Sequence, residues 1–265
     1  FARLKMGRPG PVMVEIPADV AVAEVDPSVL DGYRPLKAAV SQGDAGAILD
    51  AAKALLQAKN PIIHAGQGVL YADATAELVQ LAELIQVPVM TTMAGKSGFP
   101  ENHPLALGSG SGGMGRPVYH FLSRADLVFG IGTSFTRHGM TTPIPSGKVI
   151  IHSTNDPIDI DKSYTVDHAI LGDAKAVLRQ FIEACRDLLN GKPRPTEVPV
   201  AEEIASVRDE WLREWMPKLT SNETPITPYR VMWEFIQGID PADAIVTHDS
   251  GSPRDQLMPF YQATI

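Results

Sequence analysis

Apolar and polar residues follow one another in blocks whose spacing distinguishes helices from strands. Apolar positions between Ala45 and Ala58 recur at the spacing of one face of a helix. The apolar run from Pro61 to Ala65 comes next and is typical of a buried strand. A second helical pattern, Asp73 to Gln86, leads to a second strand pattern, Val87 to Thr92. These blocks predict a strand-helix-strand unit.

The same succession of elements continues to about residue 190. The further predicted elements are a short helix over 117–124, strands over 126–131, 148–152 and 168–170, and a long helix that Asp173 caps and Asn190-Gly191 ends. Helices between consecutive apolar strands are crossovers, so the strands should be parallel and covered on both faces. We therefore predict an α/β fold with a doubly wound parallel sheet in a domain over residues 44–190.

The residues before this block predict a different organisation. After the turn at Gly10-Pro11, the run Val12 to Ile16 predicts one buried-type strand, which Pro17 ends. Such a strand has no predicted partner nearby in sequence. We therefore expect 1–20 to be the end of a neighbouring domain and 21–43 to be a linker.

The residues after the block predict a second linker and the opening of a third domain. A charged helix is predicted near 202–215, and Thr227-Pro228 begins another helix that reaches Gln237. The run Ala244 to Thr247 predicts a new strand. The expected limits are 191–222 for the linker and 223–265 for the third domain.

Composition excludes several classes of partner. The net charge is -8 and the isoelectric point near 5.3, so no nucleic acid and no anionic membrane surface is expected as a partner. Cys185 is the single cysteine and lies in a helical pattern, which favours a packing role and a reducing compartment. No apolar stretch approaches the roughly 20 residues that span a bilayer, and the start lacks a signal-peptide pattern. We expect a cytoplasmic protein.

The glycine-rich segment from Gly108 to Arg116 precedes a predicted helix. Backbone N–H groups in such a segment can approach a pyrophosphate, helped by the partial positive charge at a helix start. Its candidate ligand-binding residues are Gly110, Gly112 and Gly113. The spacing is not a clean dinucleotide fingerprint, so a flexible connector and a nucleotide cradle both remain open.

Small and polar residues also follow three of the predicted strands. Ligands of open α/β sheets bind beyond the carboxyl ends of the strands, where these loops should meet. Each loop alone is explained by a tight turn, but their convergence favours a pocket, in which Arg137 could hold a phosphate or flavin oxygen. The candidate cofactor-binding residues are Gly66, Gln67, Gly68, Gly132, Thr133, Ser134, Arg137, Asn155 and Asp156.

The sequence contains neither the pattern of a metal site nor that of a nucleophilic serine. The seven histidines show no metal-ligand spacing, so no metal site is predicted. The run from Gly108 to Gly112 has the composition of a nucleophile elbow, but no strand is predicted directly before it. No catalytic residue is therefore assigned.

Several blocks together resemble one known family. They are Ala65–Val69, Val87–Pro100, His103–Gly108, Ala125–Val128 and Leu171–Ala174. The sequences of these blocks and their order resemble the Rossmann-like central domain of thiamine-diphosphate-dependent enzymes of the acetolactate synthase type. That resemblance implies a pyrimidine-binding domain before this one and a diphosphate-binding domain after it.

The resemblance also implies a chemistry for the complete protein. It would use thiamine diphosphate and Mg²⁺ to add a small 2-keto acid to the cofactor, release carbon dioxide, and act as a homodimer or homotetramer. The segment Asp249 to Pro253 resembles a diphosphate-binding loop, which would give Gly251 and Ser252 phosphate contacts. The family's activating glutamate and Gly-Asp-Gly metal segment do not occur in these residues. We therefore expect no turnover from this chain alone.

Two departures weaken the expectation of FAD. Relatives that hold FAD usually have arginine where this chain has Ser134, and an acidic pair where Thr154 stands and only Asp156 remains. FAD, ADP, coenzyme A or no ligand in the central domain all stay open. The alternatives to an enzyme domain are a stand-alone nucleotide-binding module and a structural spacer.

Overall fold

A parallel sheet forms the centre of the protein. The computed structural model describes residues 2–37, 39–111, 113–195 and 199–264. The sheet has six strands in the order β3-β2-β1-β4-β5-β6, all parallel to their neighbours. The strands are β1 (Pro61–Ala65), β2 (Val89–Thr92), β3 (Ala106–Gly110), β4 (Leu127–Ile131), β5 (Val149–Thr154) and β6 (His168–Leu171). This arrangement confirms the predicted doubly wound α/β fold.

Helices connect and flank the strands. They are α1 (Ala2–Lys5), α2 (Ala18–Ala21), α3 (Ala45–Gln57), α4 (Gly68–Tyr71), α5 (Thr75–Ile85), α6 (Arg116–Arg124), α7 (Ala174–Leu188), α8 (Val200–Leu219), α9 (Pro228–Gly238) and α10 (Ser252–Leu257). Short 3-10 turns occupy Pro27–Leu30, Met93–Gly95 and Pro157–Asp159. Within the described ranges, no helix has both the length and the apolar character needed to cross a bilayer.

The two faces of the sheet have separate cores because side chains alternate along each strand. Ile63 and Phe129 point to the face covered by α3, α5 and α7, where the Phe129 and Phe181 rings lie 4.6 Å apart. Ile62 and Val128 point to the opposite face, which α6 and α8 cover. Cys185 of α7 is fully buried in the first core, as expected for a packing residue.

Local signals start the long helix α7 where the sequence places it. The Asp173 carboxylate accepts hydrogen bonds from the backbone N–H groups of Lys175 (3.0 Å) and Ala176 (3.2 Å). These bonds satisfy two donors that a helix start leaves free. The predicted cap at Asp173 is confirmed.

Strand β3 corrects the interpretation of the glycine-rich segment. Gly108, Ser109 and Gly110 belong to a strand whose residues pair with β2 in parallel register. The expectation that no strand meets this glycine run is therefore wrong. Glycine is depleted in strands, so local composition concealed an element that pairing with β2 stabilises.

Two predicted strands are absent. Neither Val12 to Ile16 nor Ala244 to Thr247 is a strand in the structure. A strand needs a hydrogen-bonded neighbour, and no described residue pairs with either segment through a ladder. The residues of the first segment are all exposed, Met13 to 88%, and in the second Ile245 is 97% exposed while Val246 packs in part against the cluster of Leu257 and Tyr261.

The C-terminal helices pack on the sheet unit. Ile204 of α8 joins the second core, and the Trp211 ring stacks on Phe260 at 4.9 Å. Helix α8 therefore covers the sheet instead of acting as an extended spacer. The limits predicted for the two linkers and the three domains remain predictions.

A buried carboxylate fixes the end of the chain against the β2–β3 connection. Glu101, 3% exposed, accepts hydrogen bonds from the backbone N–H of Ala263 (2.8 Å) and the Ser109 hydroxyl (3.1 Å). It also forms an ion pair with Lys96, whose ammonium group donates to the carbonyl of Tyr261 at 2.8 Å. Burial lowers the pKa of Lys96, and Glu101 opposes this effect.

Candidate functional site

A cleft lies at the carboxyl ends of the strands. The chain order of the sheet reverses between β1 and β4, which are hydrogen-bonded neighbours. In open α/β sheets this switch point leaves a crevice, because the loops on either side diverge to opposite faces. The cleft here measures about 730 Å³, within the range of small-molecule sites.

The structure brings together more than half of the predicted site residues. Those that line the cleft are Gly66, Gln67, Gly68, Gly110, Gly132, Thr133, Ser134 and Asn155. The others in the described ranges, Gly113, Arg137, Asp156, Gly251 and Ser252, are not among its lining residues. Gly112 lies outside the described residues.

Gly66, Gly68 and Gly132 allow the loop after β1 and the loop after β4 to cross closely. A Cβ on Gly66 would lie 2.6 Å from Thr133 Cα, and one on Gly68 would lie 2.7 Å from Gly132 Cα. Their backbone N–H groups are already used, because Gly66 donates to Ile131 (2.9 Å) and Gly68 to Gly132 (2.8 Å). These two residues therefore shape the cleft, and their N–H groups are not available to a phosphate.

The predicted residues outside the cleft have other surroundings. Arg137 is exposed, and its backbone N–H donates to Ser163 Oγ at 3.2 Å. The Asp156 carboxylate accepts from the Ile158 N–H at 3.1 Å and so caps a 3-10 turn. Gly113 faces Asp255, while Gly251 and Ser252 begin α10. The structure therefore does not support Arg137 and Asp156 as groups that face a ligand in this cleft.

A pair of buried histidines at the inner end of the cleft was not predicted as a site feature, and of the two only His64 lines the cleft. His64 of β1, Gly130 of β4 and His152 of β5 are register partners across the sheet. Gly130 has no side chain, and the Phe135 ring occupies that space, 5.6 Å from the His64 ring and 4.6 Å from the His152 ring. The sequence signal was the polar His64 within an otherwise apolar strand pattern.

Burial decides the charge of both histidines. Burial, and next the neighbouring His152, lower the pKa of His64 to about 4. Burial also lowers the pKa of His152, whose Nε2–H donates to the Thr133 carbonyl at 2.8 Å. Both rings are therefore neutral at neutral pH.

Among the described residues that line the cleft, two have a buried polar side-chain atom without a partner. The Nδ1 atom of His64 and the Oγ1 atom of Thr142 have no hydrogen-bonding partner among the described residues. Both residues line the cleft, and they are only 6% and 5% exposed. Each such unpaired buried atom costs free energy, because folding removes its hydrogen bonds to water without replacing them.

The outer rim of the cleft carries cations. Lys5, Arg8, Lys175 and Arg179 all line it. Three of them also form ion pairs, namely Arg8 with Asp159 (3.0 Å), Lys175 with Asp73 (3.3 Å) and Arg179 with Glu77 (2.9 Å). The rim therefore combines positive groups with nearby carboxylates, whereas its inner end is uncharged.

The described residues do not assemble a metal-binding cluster. No group of three or more His, Cys, Asp or Glu side chains is close enough to hold a metal ion in the part of the chain that the structure describes. Gly251, with φ +87°, forms a tight turn before the six-residue helix α10. This segment alone does not fit a complete thiamine diphosphate and Mg²⁺ site.

The strand order and the position of the cleft define a doubly wound α/β domain with its ligand crevice at the switch point. Residues 48–181, which contain the whole sheet, match the family model of the thiamine pyrophosphate enzyme central domain. The chain therefore belongs to the thiamine pyrophosphate enzyme family, in its acetolactate synthase-like group. The resemblance inferred from the sequence blocks is confirmed.

Individual relatives extend this result over the rest of the chain. A probable acetolactate synthase large subunit of Methanococcus aeolicus is 34% identical over 278 residues, which cover 99% of this chain and 46% of that protein. A glyoxylate carboligase of Escherichia coli O157:H7 is 35% identical over 243 residues, which cover 88% of this chain and 39% of that protein. The chain thus spans less than half the length of these relatives.

A solved structure shares the fold. The benzoylformate decarboxylase of Polynucleobacter necessarius superposes with a TM-score of 0.64 and 19% sequence identity, over 92% of this chain and 42% of that chain. At this identity the likeness concerns the fold.

Proposed function

We propose that this chain is the central part of a thiamine-diphosphate-dependent enzyme that ligates or decarboxylates a small 2-keto acid. One observation carries the proposal: the alignment to the probable acetolactate synthase large subunit covers 99% of the chain, including the segments outside the sheet. The similarity to a glyoxylate carboligase supports the same class of substrate.

The residues described here supply binding and orientation in this proposal. Thiamine diphosphate, when bound with Mg²⁺, supplies the electron sink of the reaction. The proposed contacts of Gly251 and Ser252 with its diphosphate are supported by the resemblance of their loop and by the tight turn at Gly251. We assign no chemical step to a residue of this chain.

The test is an assay of the full-length protein that contains this sequence. With thiamine diphosphate and Mg²⁺, we expect it to release carbon dioxide from pyruvate or from glyoxylate, and to stop when the cofactor is omitted. The 265-residue chain alone should show no release under the same conditions. Failure of the full-length protein on a panel of 2-keto acids would contradict the proposed activity.

We further propose a homodimer or homotetramer in the cytoplasm. The assembly is supported by the resemblance to a family that forms active sites between paired subunits, and the location by the single cysteine and the acidic composition. Light scattering of the full-length protein tests the assembly. A monomer at micromolar concentration would contradict it.

A second candidate function is binding of FAD, ADP or coenzyme A in the cleft. It is supported by the position of the cleft at the switch point and by its cationic rim. Calorimetric titration of the chain with the three compounds tests it. If none binds, the cleft is better explained as part of a structural spacer.

A further inference from the structure

We propose that Lys96 and Glu101 form a latch between the β2–β3 connection and the C-terminal segment, residues 251–264. The latch opens locally, so that this segment can separate from the connection while the six strands stay folded. The inference depends neither on the proposed activity nor on a ligand in the cleft. It assigns the docking of the segment to one buried ion pair and makes that docking separable from the folding of the sheet.

The apolar side chains of the C-terminal segment pack away from both cores of the sheet. Leu257, Tyr261 and Ala263 form a cluster with side chains of α9 and of the residues after it. The Phe260 ring packs on Trp211 of α8. The described residues of the segment belong to neither core cluster of the sheet. Apolar burial therefore joins the segment to α8 and α9, and the two cores of the sheet are complete without it.

Polar contacts join the segment to the sheet through the β2–β3 connection. In the part of the chain that the structure describes, four hydrogen bonds link the segment to the strands, their helices and their connections, and three of these involve Glu101 or Lys96. The Glu101 N–H donates to the Ala263 carbonyl (2.9 Å), and the Ala263 N–H donates to the Glu101 carboxylate (2.8 Å). The Lys96 ammonium donates to the Tyr261 carbonyl at 2.8 Å. These two side chains therefore form most of the polar link.

The sheet holds the Glu101 carboxylate in place without the segment. The Ser109 hydroxyl of β3 donates to Glu101 Oε1 at 3.1 Å, and it is also hydrogen-bonded to the Thr91 hydroxyl of β2 at 2.9 Å. Lys96 follows the 3-10 turn after β2 and so lies in the same connection as Glu101. The contacts that can separate are therefore those made to the backbone of the C-terminal segment.

Burial makes the docking depend on both members of the ion pair. The side chains of Lys96 and Glu101 are 14% and 4% exposed. Removing such charges from water costs free energy that their attraction offsets, so an intact pair adds little net stability, whereas one buried charge left alone is strongly unfavourable. Opening of the latch returns the charged groups to water. Loss of either partner should therefore release the segment, and removal of both charges should let it dock again.

Hydrogen exchange of the 265-residue chain, followed by mass spectrometry of peptic peptides, tests the latch. Lys96→Met and Glu101→Gln each leave one buried charge without its partner. We expect the peptide over 257–264, the C-terminal peptide, to exchange at least about tenfold faster in each variant, because the unpaired charge favours the open state. The peptides of β1 and β4 should keep their wild-type rates.

Two further variants are matched controls. The double variant with Lys96→Met and Glu101→Gln removes both charges and keeps an amide oxygen as a hydrogen-bond acceptor. Its C-terminal peptide should exchange within about threefold of the wild-type rate. Asp126→Asn alters a carboxylate that accepts from the backbone N–H groups of Lys59 (2.7 Å) and Asn60 (2.8 Å), before β1. This variant should leave exchange of the C-terminal peptide unchanged.

A measurement on the wild type keeps the inference testable if a variant does not fold. Exchange of the C-terminal peptide in low urea should report a small opening. Its dependence on urea should be weaker than that of β4, because this dependence scales with the surface that becomes exposed.

Four results would overturn the latch. If β1 and β4 accelerate together with the C-terminal peptide in the single variants, or share its urea dependence in the wild type, the segment and the sheet open as one unit. If neither single variant changes exchange of the C-terminal peptide, the ion pair does not hold the segment. If the double variant exchanges as fast as the single ones, an unpaired charge is not the cause of the opening.

Discussion

Two apolar runs of similar composition differ in secondary structure and in burial in this protein. The run Leu127 to Ile131 is strand β4, and every one of its residues is buried. The run Val12 to Ile16 is not a strand, and all of its residues are exposed. Strand β4 has hydrogen-bonded neighbours on both sides, β1 and β5, and helices over both faces. The earlier run has neither among the described residues.

This difference shows that an apolar pattern indicates that a segment needs burial and hydrogen-bonding partners. The tertiary structure determines whether the segment has them. Burial of apolar area stabilises a strand only where other elements remove water from both of its faces. A backbone also needs partners for its N–H and C=O groups.

The largest effect is expected at the centre of the first core. Phe181→Ala should lower the free energy of unfolding by about 3–5 kcal/mol, because it removes a fully buried ring that packs on Phe129. Urea unfolding measures the change. The matched control Phe235→Ala truncates a ring that is 40% exposed and should cost clearly less. Equal costs would mean that the sheet core is not the dominant source of stability.

The buried histidine should make stability depend on pH. His64 has its pKa lowered to about 4 in the folded protein, against an ordinary value of 6.5. Between these values the unfolded chain binds the additional proton, so stability falls as the pH is lowered from 6.5 to 4. The loss amounts to about 3 kcal/mol, from 1.36 kcal/mol per unit of pKa.

Urea midpoints over this pH range measure the effect. His64→Phe should remove most of that loss relative to the wild type, whereas His168→Phe should keep it. An identical pH dependence in the wild type and His64→Phe would show that His64 is not held neutral by burial.

The crossing of the two loops should give an intermediate effect. Gly66→Ala places a methyl group 2.6 Å from Thr133 Cα and 2.7 Å from Thr133 Cβ, so the backbone of the crossing loop must move. We expect a loss of about 1–3 kcal/mol, as in overpacked sites, measured by urea unfolding. Gly139→Ala is the control, since a Cβ there meets no atom within 4 Å. A Gly66→Ala variant as stable as this control would contradict the close crossing.

The smallest effect is expected in the exposed run. Val14 is 69% exposed and has little buried apolar area to lose. Val14→Ser should therefore change the free energy of unfolding by less than about 0.5 kcal/mol. Thermal unfolding of the chain measures it. A loss of more than about 1 kcal/mol would show that this run is packed in solution, and the contrast with β4 would fail.

Sequence patterns were sufficient for elements whose signals are local. The strands β1, β4 and β5 are short apolar runs, and the start of α7 is specified by Asp173 and its capping bonds. The glycines after β1 and β4 predicted the loops at the cleft because parallel strands end at a common edge. The role of these glycines in the close crossing of the two loops could not be predicted from the sequence, because the contact between Gly66 and Thr133 joins residues far apart in sequence.

Tertiary structure decided the features that depend on distant partners. Pairing with β2 made a strand of Ala106 to Gly110 despite its glycines, and the lack of a described partner left Val12 to Ile16 without one. His64 lies in a strand that the sequence predicts, but its neutrality and its place beside Phe135 follow from the register with Gly130 and His152. The sequence by itself determined the order of helices and strands and the family, because these follow from local periodicity and from short sequence motifs. The tertiary structure decided the inner end of the cleft, because burial and hydrogen bonding depend on which segments meet in space.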